Sequence, residues 1–258
     1  MRKRKFWGWG YADELFSAEE EKNIDSRIAK TFQLDDIETL PIPKVEDIDL
    51  PKPRLGAPSA LSKVLSDDKE ERLNHTYGKS FPDAARSLLK DFSSPPDLVA
   101  FPNTEDELVN VMDWCDESNI AVIPYGGGSS VCGGVETQVG DSYSGVVSLD
   151  LRNLNKIIEI DRESRSARIQ AGILGPDLES NLKKENLTMR HYPQSFEFST
   201  LGGWIATRSG GHYATLYTHI DDFVESTRMV TPSGVLESRR LPGSGAGPSP
   251  DRFTIGSE

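Results

Sequence analysis

A glycine-rich stretch directly behind an apolar run constrains this sequence more than any other feature. Residues 120–123 have the pattern of a buried strand, and residues 124–134, PYGGGSSVCGG, then place five glycines among eleven positions. Backbone N–H groups in such a loop can converge on an anion, and the missing Cβ atoms let a ligand approach the main chain. The pattern therefore predicts a pyrophosphate-binding loop, with a tight turn that binds no ligand as the alternative.

The glycines do not fit the common nucleotide-binding fingerprints. Gly126 and Gly128 satisfy the first two positions of the Rossmann motif, but Val131 occupies the third and no helical pattern follows. A nicotinamide site of that type is therefore disfavoured. The tripeptide GKS at residues 78–80 is not a phosphate loop either, because Leu73 stands where that motif needs its first glycine.

Charge and composition exclude several classes of protein. The 258 residues carry 41 acidic and 29 basic side chains, a net charge of −12, which argues against a nucleic-acid partner. No run approaches the roughly 18 apolar residues of a membrane span, and FWGWG rather than a signal region follows MRKRK, which predicts a cytoplasmic protein. Two cysteines, Cys115 and Cys132, supply no disulfide framework, so we expect reduced thiols and no metal site.

Residues 1–94 are predicted to form an N-terminal extension and linker. They are polar and punctuated by prolines, with KFWGWGY near the start and PIPKVEDIDLPKPRLGAP at residues 41–58. The basic start is predicted to be a solvated tail, and contact with an anionic membrane surface is the alternative.

From residue 95 the sequence alternates between strand and helix patterns. This predicts an α+β domain of two small subdomains over residues 95–258. Residues 239–252 are predicted to be a flexible surface loop. The predicted strands are residues 98–101, 120–124 and 146–149, and a hairpin of residues 157–160 and 167–170.

Two helices are predicted within this domain. Thr104 and Glu107 form a capping box for the first, which should end near Asn119. The second should begin at Pro176 and carry Leu178 and Leu182. The first helix places four apolar side chains on one face: Leu108, Val111, Met112 and Cys115.

A second glycine cluster lies at residues 194–211, QSFEFSTLGGWIATRSGG. Its hydroxyls and backbone donors could bind phosphate or ring heteroatoms, while its glycines remove the intervening side chains. The alternative is structural: Thr200 caps a helix, Gly202 and Gly203 permit close packing, and Arg208 is solvated.

Several motifs together resemble a known family of flavoproteins. In chain order they are IPYGGGSSVCGG, SLDLRNLNKIIEID, SFEFSTLGGWIATRSGG, IDDFVESTRMVTPSG and a terminal GSE. They resemble the FAD-binding domain of the vanillyl-alcohol oxidase/PCMH superfamily and, within it, the alkyldihydroxyacetonephosphate synthase (alkylglycerone-phosphate synthase) family of ether-lipid synthesis. The resemblance is dense over residues 95–258 and thin over residues 12–73, and GWGY near the start also resembles the family.

The resemblance implies an FAD site built from four segments. The first wraps the pyrophosphate, the second and third lie nearer the ribityl chain and flavin ring, and the fourth opens a motif that continues in the family as Gly-Thr-Leu-Gly. The family's catalytic residues lie in a C-terminal cap domain, so the resemblance assigns none here. The implied cofactor-binding residues are Pro124, Tyr125, Gly126, Gly127, Gly128, Ser129, Ser130, Gln194, Ser195, Phe196, Glu197, Phe198, Ser199, Thr200, Gly202, Gly203, Thr207, Arg208, Ser209, Gly210, Gly256, Ser257 and Glu258.

The resemblance also implies how FAD is held. Residues 208–212, RSGGH, imitate the covalent flavin-histidine motif of berberine-bridge-type oxidases, but in those enzymes the motif occupies the first glycine loop. Here the first loop carries Ser129 and Ser130 and no histidine. We therefore expect non-covalent FAD rather than attachment at His212.

The remaining titratable candidates are predicted to have no catalytic role. His75, His191 and His219 have no carboxylate or cysteine at a catalytic spacing, which predicts structural or surface positions. Asp221 and Asp222 are adjacent, and adjacent side chains on a helix or strand point apart, so a shared catalytic proton is not expected.

The resemblance implies a flavoenzyme and leaves three functions open. The first is acyl-to-alkyl exchange on acyl-dihydroxyacetone phosphate, in which the flavin holds the dihydroxyacetone phosphate unit without net redox change. The second is an FAD-linked oxidoreductase acting on a 2-hydroxy acid, as in glycolate oxidase and D-lactate dehydrogenase. The third is a flavin-binding fragment without activity. The expected partners are a small lipid or hydroxy-acid substrate and a second copy of the chain in a homodimer.

Overall fold

The computed structural model describes residues 2–217, 219–240 and 247–258, and it shows a mixed α+β fold as predicted. Short 3-10 helices lie at Val45–Asp47, Ser59–Leu61 and Pro250–Phe253. The α-helices are α1 (Ala18–Phe32), α2 (Lys69–Asn74), α3 (Phe81–Leu88), α4 (Glu105–Glu117), α5 (Gly175–Lys184), α6 (Leu201–Ala206), α7 (Ala214–Tyr217) and α8 (Ile220–Phe223). The strands are β1 (Leu65–Ser66), β2 (Leu98–Ala100), β3 (Ile120–Tyr125), β4 (Gly145–Asp150), β5 (Ile157–Asp161), β6 (Ser166–Ile169), β7 (Arg228–Thr231) and β8 (Gly234–Glu237).

A four-stranded sheet in the order β1-β2-β4-β3 positions the first glycine loop. β2 and β3 both run parallel to β4, and Tyr125 at the end of β3 pairs with Asp150 at the end of β4. Every residue of β4 is buried, as expected of a central parallel strand. Because the carboxyl ends of parallel strands meet at one edge, the loop after β3 and the loop after β4 are neighbours.

Helix α4 covers this sheet and confirms the predicted helix. Leu108, Val111 and Cys115 are buried in the same apolar cluster as residues of β2, β3 and β4. Thr104 accepts a hydrogen bond from the backbone of Glu107 at 3.1 Å, as a cap should. The reciprocal half of the predicted capping box is wrong, because the Glu107 carboxylate accepts from the backbone of Asn103 at 2.7 Å.

A second apolar cluster organises the following residues. The predicted hairpin forms as the antiparallel pair β5–β6, and α5 buries Leu178 and Leu182 as expected. They pack with Trp204 of α6 and Ile220 of α8. Strands β7 and β8 form a separate hairpin. Of the surface loop predicted at residues 239–252, positions 241–246 lie outside the described residues.

The region before residue 95 contributes to the folded core. β1 pairs antiparallel with β2, and Phe6 is buried in a third apolar cluster with Leu73 and Phe92. Asp97, at the start of β2, accepts hydrogen bonds from the Arg54 backbone at 2.6 Å and from the Arg54 guanidinium at 2.8 Å. The domain division at residues 94 and 95 stays a prediction. Within the described residues, no helix combines the length and apolar character needed to cross a membrane.

Candidate functional site

A cleft of about 370 Å³ opens at the carboxyl ends of β3 and β4. It is lined on one side by residues of the first and second segments that the resemblance assigned to FAD, among them Gly126, Gly127, Ser129, Phe198 and Thr200. The fold therefore places two segments that are some seventy residues apart in sequence on one surface.

The glycines of the first loop permit contact between these two segments. A Cβ on Gly127 would overlap the carbonyl oxygen of Phe198 and lie 2.8 Å from the Cα of Ser199. A Cβ on Gly126 would overlap the hydroxyl of Thr200. Gly128 has a φ of +63°, in the left-handed region that favours glycine. The loop thus needs glycine for close approach as well as for its turn.

The loop also offers unused hydrogen-bond donors. The backbone N–H groups of residues 126–130 have no hydrogen-bond acceptor in the part of the chain that the structure describes. Consecutive free N–H groups at the end of a strand form a concave site for an anion. A diphosphate provides several acceptor oxygens at once, so these residues fit the pyrophosphate of a dinucleotide.

The fourth predicted segment reaches the first glycine loop beside α6. The backbone N–H groups of Gly256 and Glu258 donate to the carbonyls of Ile205 and Ala206 at 2.9 and 3.0 Å. The Glu258 carboxylate then accepts from the Ser130 hydroxyl at 3.1 Å, which joins the fourth segment to the first.

Several predicted residues also make structural contacts. Thr200 caps α6 by accepting from the Gly203 backbone at 3.3 Å, which confirms the structural alternative at that position. Phe196 stacks on Trp204, with 6.2 Å between ring centroids. Arg208 is not simply solvated, because it forms an ion pair with Asp221 at 2.9 Å. Cofactor contacts of the assigned residues stay a prediction.

A buried charge network that the sequence did not reveal lies beneath the loop. The His75 ring is fully buried, with Nε2 2.9 Å from the carboxylate of Asp150 and Nδ1 2.6 Å from the carbonyl of Glu71. Each ring nitrogen therefore lies within hydrogen-bond distance of an acceptor oxygen. Arg152 contacts the same Asp150 carboxylate at 2.7 Å. His75 is structural as predicted, but it does have a carboxylate partner, supplied by a distant strand.

This network supports Tyr125, the residue that directly precedes the glycine loop. The Tyr125 ring lies 4.1 Å from the His75 ring, centroid to centroid, and its hydroxyl donates to the Asn74 carbonyl at 3.0 Å. Burial raises the pKa of Tyr125, so the hydroxyl stays protonated and continues to donate. Burial also opposes ionisation of Asp150, but hydrogen bonds and charge from His75 and Arg152 hold the pKa of Asp150 below its usual value.

A second buried histidine lies behind the third segment. His191 Nε2 is hydrogen-bonded to the Ser209 hydroxyl at 2.8 Å, and the ring packs 5.0 Å from the Trp204 ring. Burial, with a smaller electrostatic contribution from the neighbouring His219, lowers the pKa of His191 to about 4. His191 is therefore neutral at physiological pH, in agreement with its predicted structural role.

We expect His191 to make the fold sensitive to acid. In the unfolded chain its pKa returns to about 6.5, so that chain binds the proton first and stability falls as the pH drops from 6.5 towards 4. The expected loss is on the order of 2 kcal/mol. Urea unfolding across this range should show a flatter pH profile for His191→Gln than for the unaltered chain. His212→Gln, at an exposed position, is the matched control, and an unchanged profile in His191→Gln would contradict the prediction.

Comparisons with known proteins agree with this geometry. A family model described as an FAD binding domain matches residues 96–238. The chain is 39% identical over 234 residues to alkyldihydroxyacetonephosphate synthase of Dictyostelium discoideum, covering 89% of this chain and 38% of that protein. It is 28% identical over 204 residues to glycolate oxidase subunit GlcD of Bacillus subtilis, covering 76% of this chain and 42% of that protein.

The fold is also similar to a solved structure. An alkyldihydroxyacetonephosphate synthase structure superposes with a TM-score of 0.85 at 33% identity, covering 98% of this chain and 51% of that one. The chain therefore spans about half, or less, of the length of the proteins it matches.

Proposed function

Because the chain belongs to the FAD-binding domain family and its cofactor is FAD, we propose that it is the FAD-binding part of an alkyldihydroxyacetonephosphate-synthase-like flavoenzyme. The proposed activity is exchange of the acyl group of acyl-dihydroxyacetone phosphate for an alkyl group, as in ether-lipid synthesis. The observation that carries the proposal is the similarity to the Dictyostelium synthase over nearly the whole chain, at 39% identity.

The residues of this chain bind and position the cofactor in the proposed enzyme. Bound FAD supplies a flavin ring that can hold the dihydroxyacetone phosphate unit during the exchange. The free N–H groups of residues 126–130 bind the pyrophosphate, and residues 194–200 and 207–210 border the ribityl chain and ring. Glu258 ties the fourth segment to Ser130 and so completes the enclosure. We assign no catalytic residue within this chain.

An FAD-linked oxidoreductase acting on a 2-hydroxy acid is the second candidate. It is supported by the 28% identity to the Bacillus glycolate oxidase subunit, which extends over three quarters of this chain. Anaerobic addition of glycolate or D-lactate to the flavin-loaded protein separates the two candidates. Bleaching of the flavin colour supports the oxidoreductase, whereas exchange of a labelled fatty alcohol into acyl-dihydroxyacetone phosphate without bleaching supports the synthase.

We expect the purified chain to bind FAD non-covalently. Titration with FAD should quench flavin fluorescence and raise the melting temperature, because a ligand that binds only the folded state stabilises it. Acid should then release intact FAD, since the glycine loop carries Ser129 and Ser130 and no histidine, and His212 does not line the cleft. Flavin that remains with the acid precipitate would overturn the non-covalent assignment, and the absence of binding would overturn the proposed function.

Three further properties belong to this proposal. The substrate is a small lipid or hydroxy acid, and the protein functions as a homodimer in the cytoplasm, where its two cysteines, both free in the structure, remain reduced. Contact with an anionic membrane surface through the basic start of the chain is the alternative to a purely cytoplasmic location.

A further inference from the structure

The first residues of the chain form a fixed loop at the mouth of the cleft. We call residues 3–12 the N-terminal loop. Its ends meet through a hydrogen bond from the Ala12 backbone to the Lys3 carbonyl at 2.9 Å, and Arg4 and Tyr11 form an isolated bridge. Phe6 is buried in the third apolar cluster, and the Trp9 indole donates to the Lys79 carbonyl at 3.0 Å. The solvated tail predicted for this region is therefore wrong.

Arg4 projects from this loop onto the two predicted FAD segments. One nitrogen of its guanidinium donates to the carbonyls of Gly127 and Phe198, at 2.9 and 3.2 Å. Its neighbours in sequence are paired with carboxylates: Arg2 with Asp13 at 2.6 Å, and Lys3 with Glu70 at 2.6 Å. Arg4, by contrast, has no ion pair in the described parts of the chain.

Lys79 is a second cationic side chain that lines the cleft. Its ammonium donates to the carbonyls of Lys5 and Phe6, at 3.0 and 3.3 Å, and it too has no ion pair with a described residue. Burial and the positive charge of Arg4 lower the pKa of Lys79 to about 8, with a weaker opposing effect from Asp83. Two neighbouring cations disfavour each other's charge unless an anion compensates both.

The described residues do not supply that anion. The nearby carboxylate of Asp150 is already engaged by His75 and Arg152. A chain with a net charge of −12 has many carboxylates with which to neutralise two cations, yet these two face the cleft beside five free backbone N–H groups. The two cations and the free N–H groups beside them together indicate an external anion with several acceptor oxygens.

We propose that Arg4 and Lys79, together with the backbone of residues 126–130, bind the pyrophosphate of FAD, so that the N-terminal loop forms part of the cofactor site. This inference rests on the proposed function, because it requires FAD in the cleft. A pyrophosphate bound between the glycine loop and the two cations would give each of these donors an acceptor. It would also link the N-terminal loop to both FAD segments.

The test compares FAD with riboflavin, which has no phosphate. Arg4→Met should weaken FAD binding by about 10- to 100-fold. Riboflavin binding should weaken much less, because it loses only the bridge that Arg4 makes between the Gly127 and Phe198 carbonyls and no contact with phosphate. Lys79→Met should show the same selectivity, which provides a second variant if the first unfolds. Arg2→Met is the matched control, since Arg2 is already paired with Asp13, and it should bind both flavins normally.

Calorimetry gives a readout that needs no variant. An anion beside Lys79 raises its pKa from about 8, so binding of FAD at pH 8 should take up about 0.5 proton, whereas riboflavin should take up none. Proton uptake is obtained by repeating the titration in buffers of different ionisation enthalpy. In Lys79→Met the uptake should disappear.

The outcomes separate this inference from the proposed function. If the unaltered chain fails to bind FAD, the proposed function and this inference are both overturned. If it binds FAD while both variants keep the same affinity and no proton is taken up, only the inference is overturned. In a third outcome, the variants bind FAD with unchanged affinity but, once loaded with FAD, bind glycerol 3-phosphate more weakly. That result would assign the two cations to a substrate phosphate and would also overturn the inference.

Discussion

Replacing Gly127 with alanine is expected to abolish FAD binding and to destabilise the fold by at least about 3 kcal/mol. The added Cβ would overlap the Phe198 carbonyl oxygen and lie 2.7 Å from its carbonyl carbon and 2.8 Å from the Ser199 Cα. All three atoms belong to the backbone, so no side-chain rotation relieves the clash. The first and second segments must therefore move apart.

The separation would also break the bridge that Arg4 makes between Gly127 and Phe198. Urea unfolding and FAD titration of Gly127→Ala measure the two effects. Gly133→Ala is the matched control in the same glycine-rich stretch: its Cβ would meet nothing closer than 3.8 Å, and only its φ of +87° opposes alanine. That control should lose about 1 kcal/mol and keep FAD affinity. Near-normal stability and FAD binding in Gly127→Ala would contradict the close approach of the two segments.

The elements that the sequence predicted are those specified by neighbouring residues. Helix α4 combines a threonine cap with apolar residues at helical spacing, and strands β3 and β4 are apolar runs bounded by turns. The same holds for the glycine loop, because five glycines behind a buried strand have few structural explanations. In each case the residues that specify the element lie within about fifteen positions of one another, so a local sequence pattern can reveal the element.

The features that the sequence did not predict are contacts between residues that lie far apart along the chain. His75 and Asp150 are 75 positions apart in the sequence, and Arg4 and Phe198 are 194 positions apart. No local spacing marks such pairs, since they form only when β2, β3 and β4 are aligned and the N-terminal loop is docked. The overall polar composition also concealed the docking, because Phe6 is buried although four basic residues precede it and the neighbouring Trp7 and Trp9 are not buried. The composition of a segment does not show which single side chain is buried, whereas the docking of the N-terminal loop depends on the buried Phe6.

Removing the charge of Asp150 is expected to destabilise the fold by about 3–5 kcal/mol. In Asp150→Asn, the buried His75 ring and the Arg152 guanidinium would lose the carboxylate that now contacts them at 2.9 and 2.7 Å. An amide of the same shape accepts fewer hydrogen bonds and carries no charge, so the buried ring and the guanidinium would lose the carboxylate that they share. The effect should reach the glycine loop, because the His75 ring supports Tyr125 directly before Gly126.

Urea unfolding of four variants tests this account of the network: Asp150→Asn, His75→Gln, their combination and Glu71→Gln. Glu71→Gln is the matched control, since the Glu71 carboxylate is partly exposed and lies 3.3 Å from Arg152, so its loss should cost less than about 1 kcal/mol. His75→Gln combined with Asp150→Asn should be less destabilised than the sum of the single variants, because either single variant already disrupts the hydrogen bond between the two side chains. Strict additivity would mean that His75 and Asp150 act independently, which would contradict a shared network. A loss in the double variant that is smaller than the sum would instead identify Asp150 as the residue that holds the buried His75 ring beneath the loop.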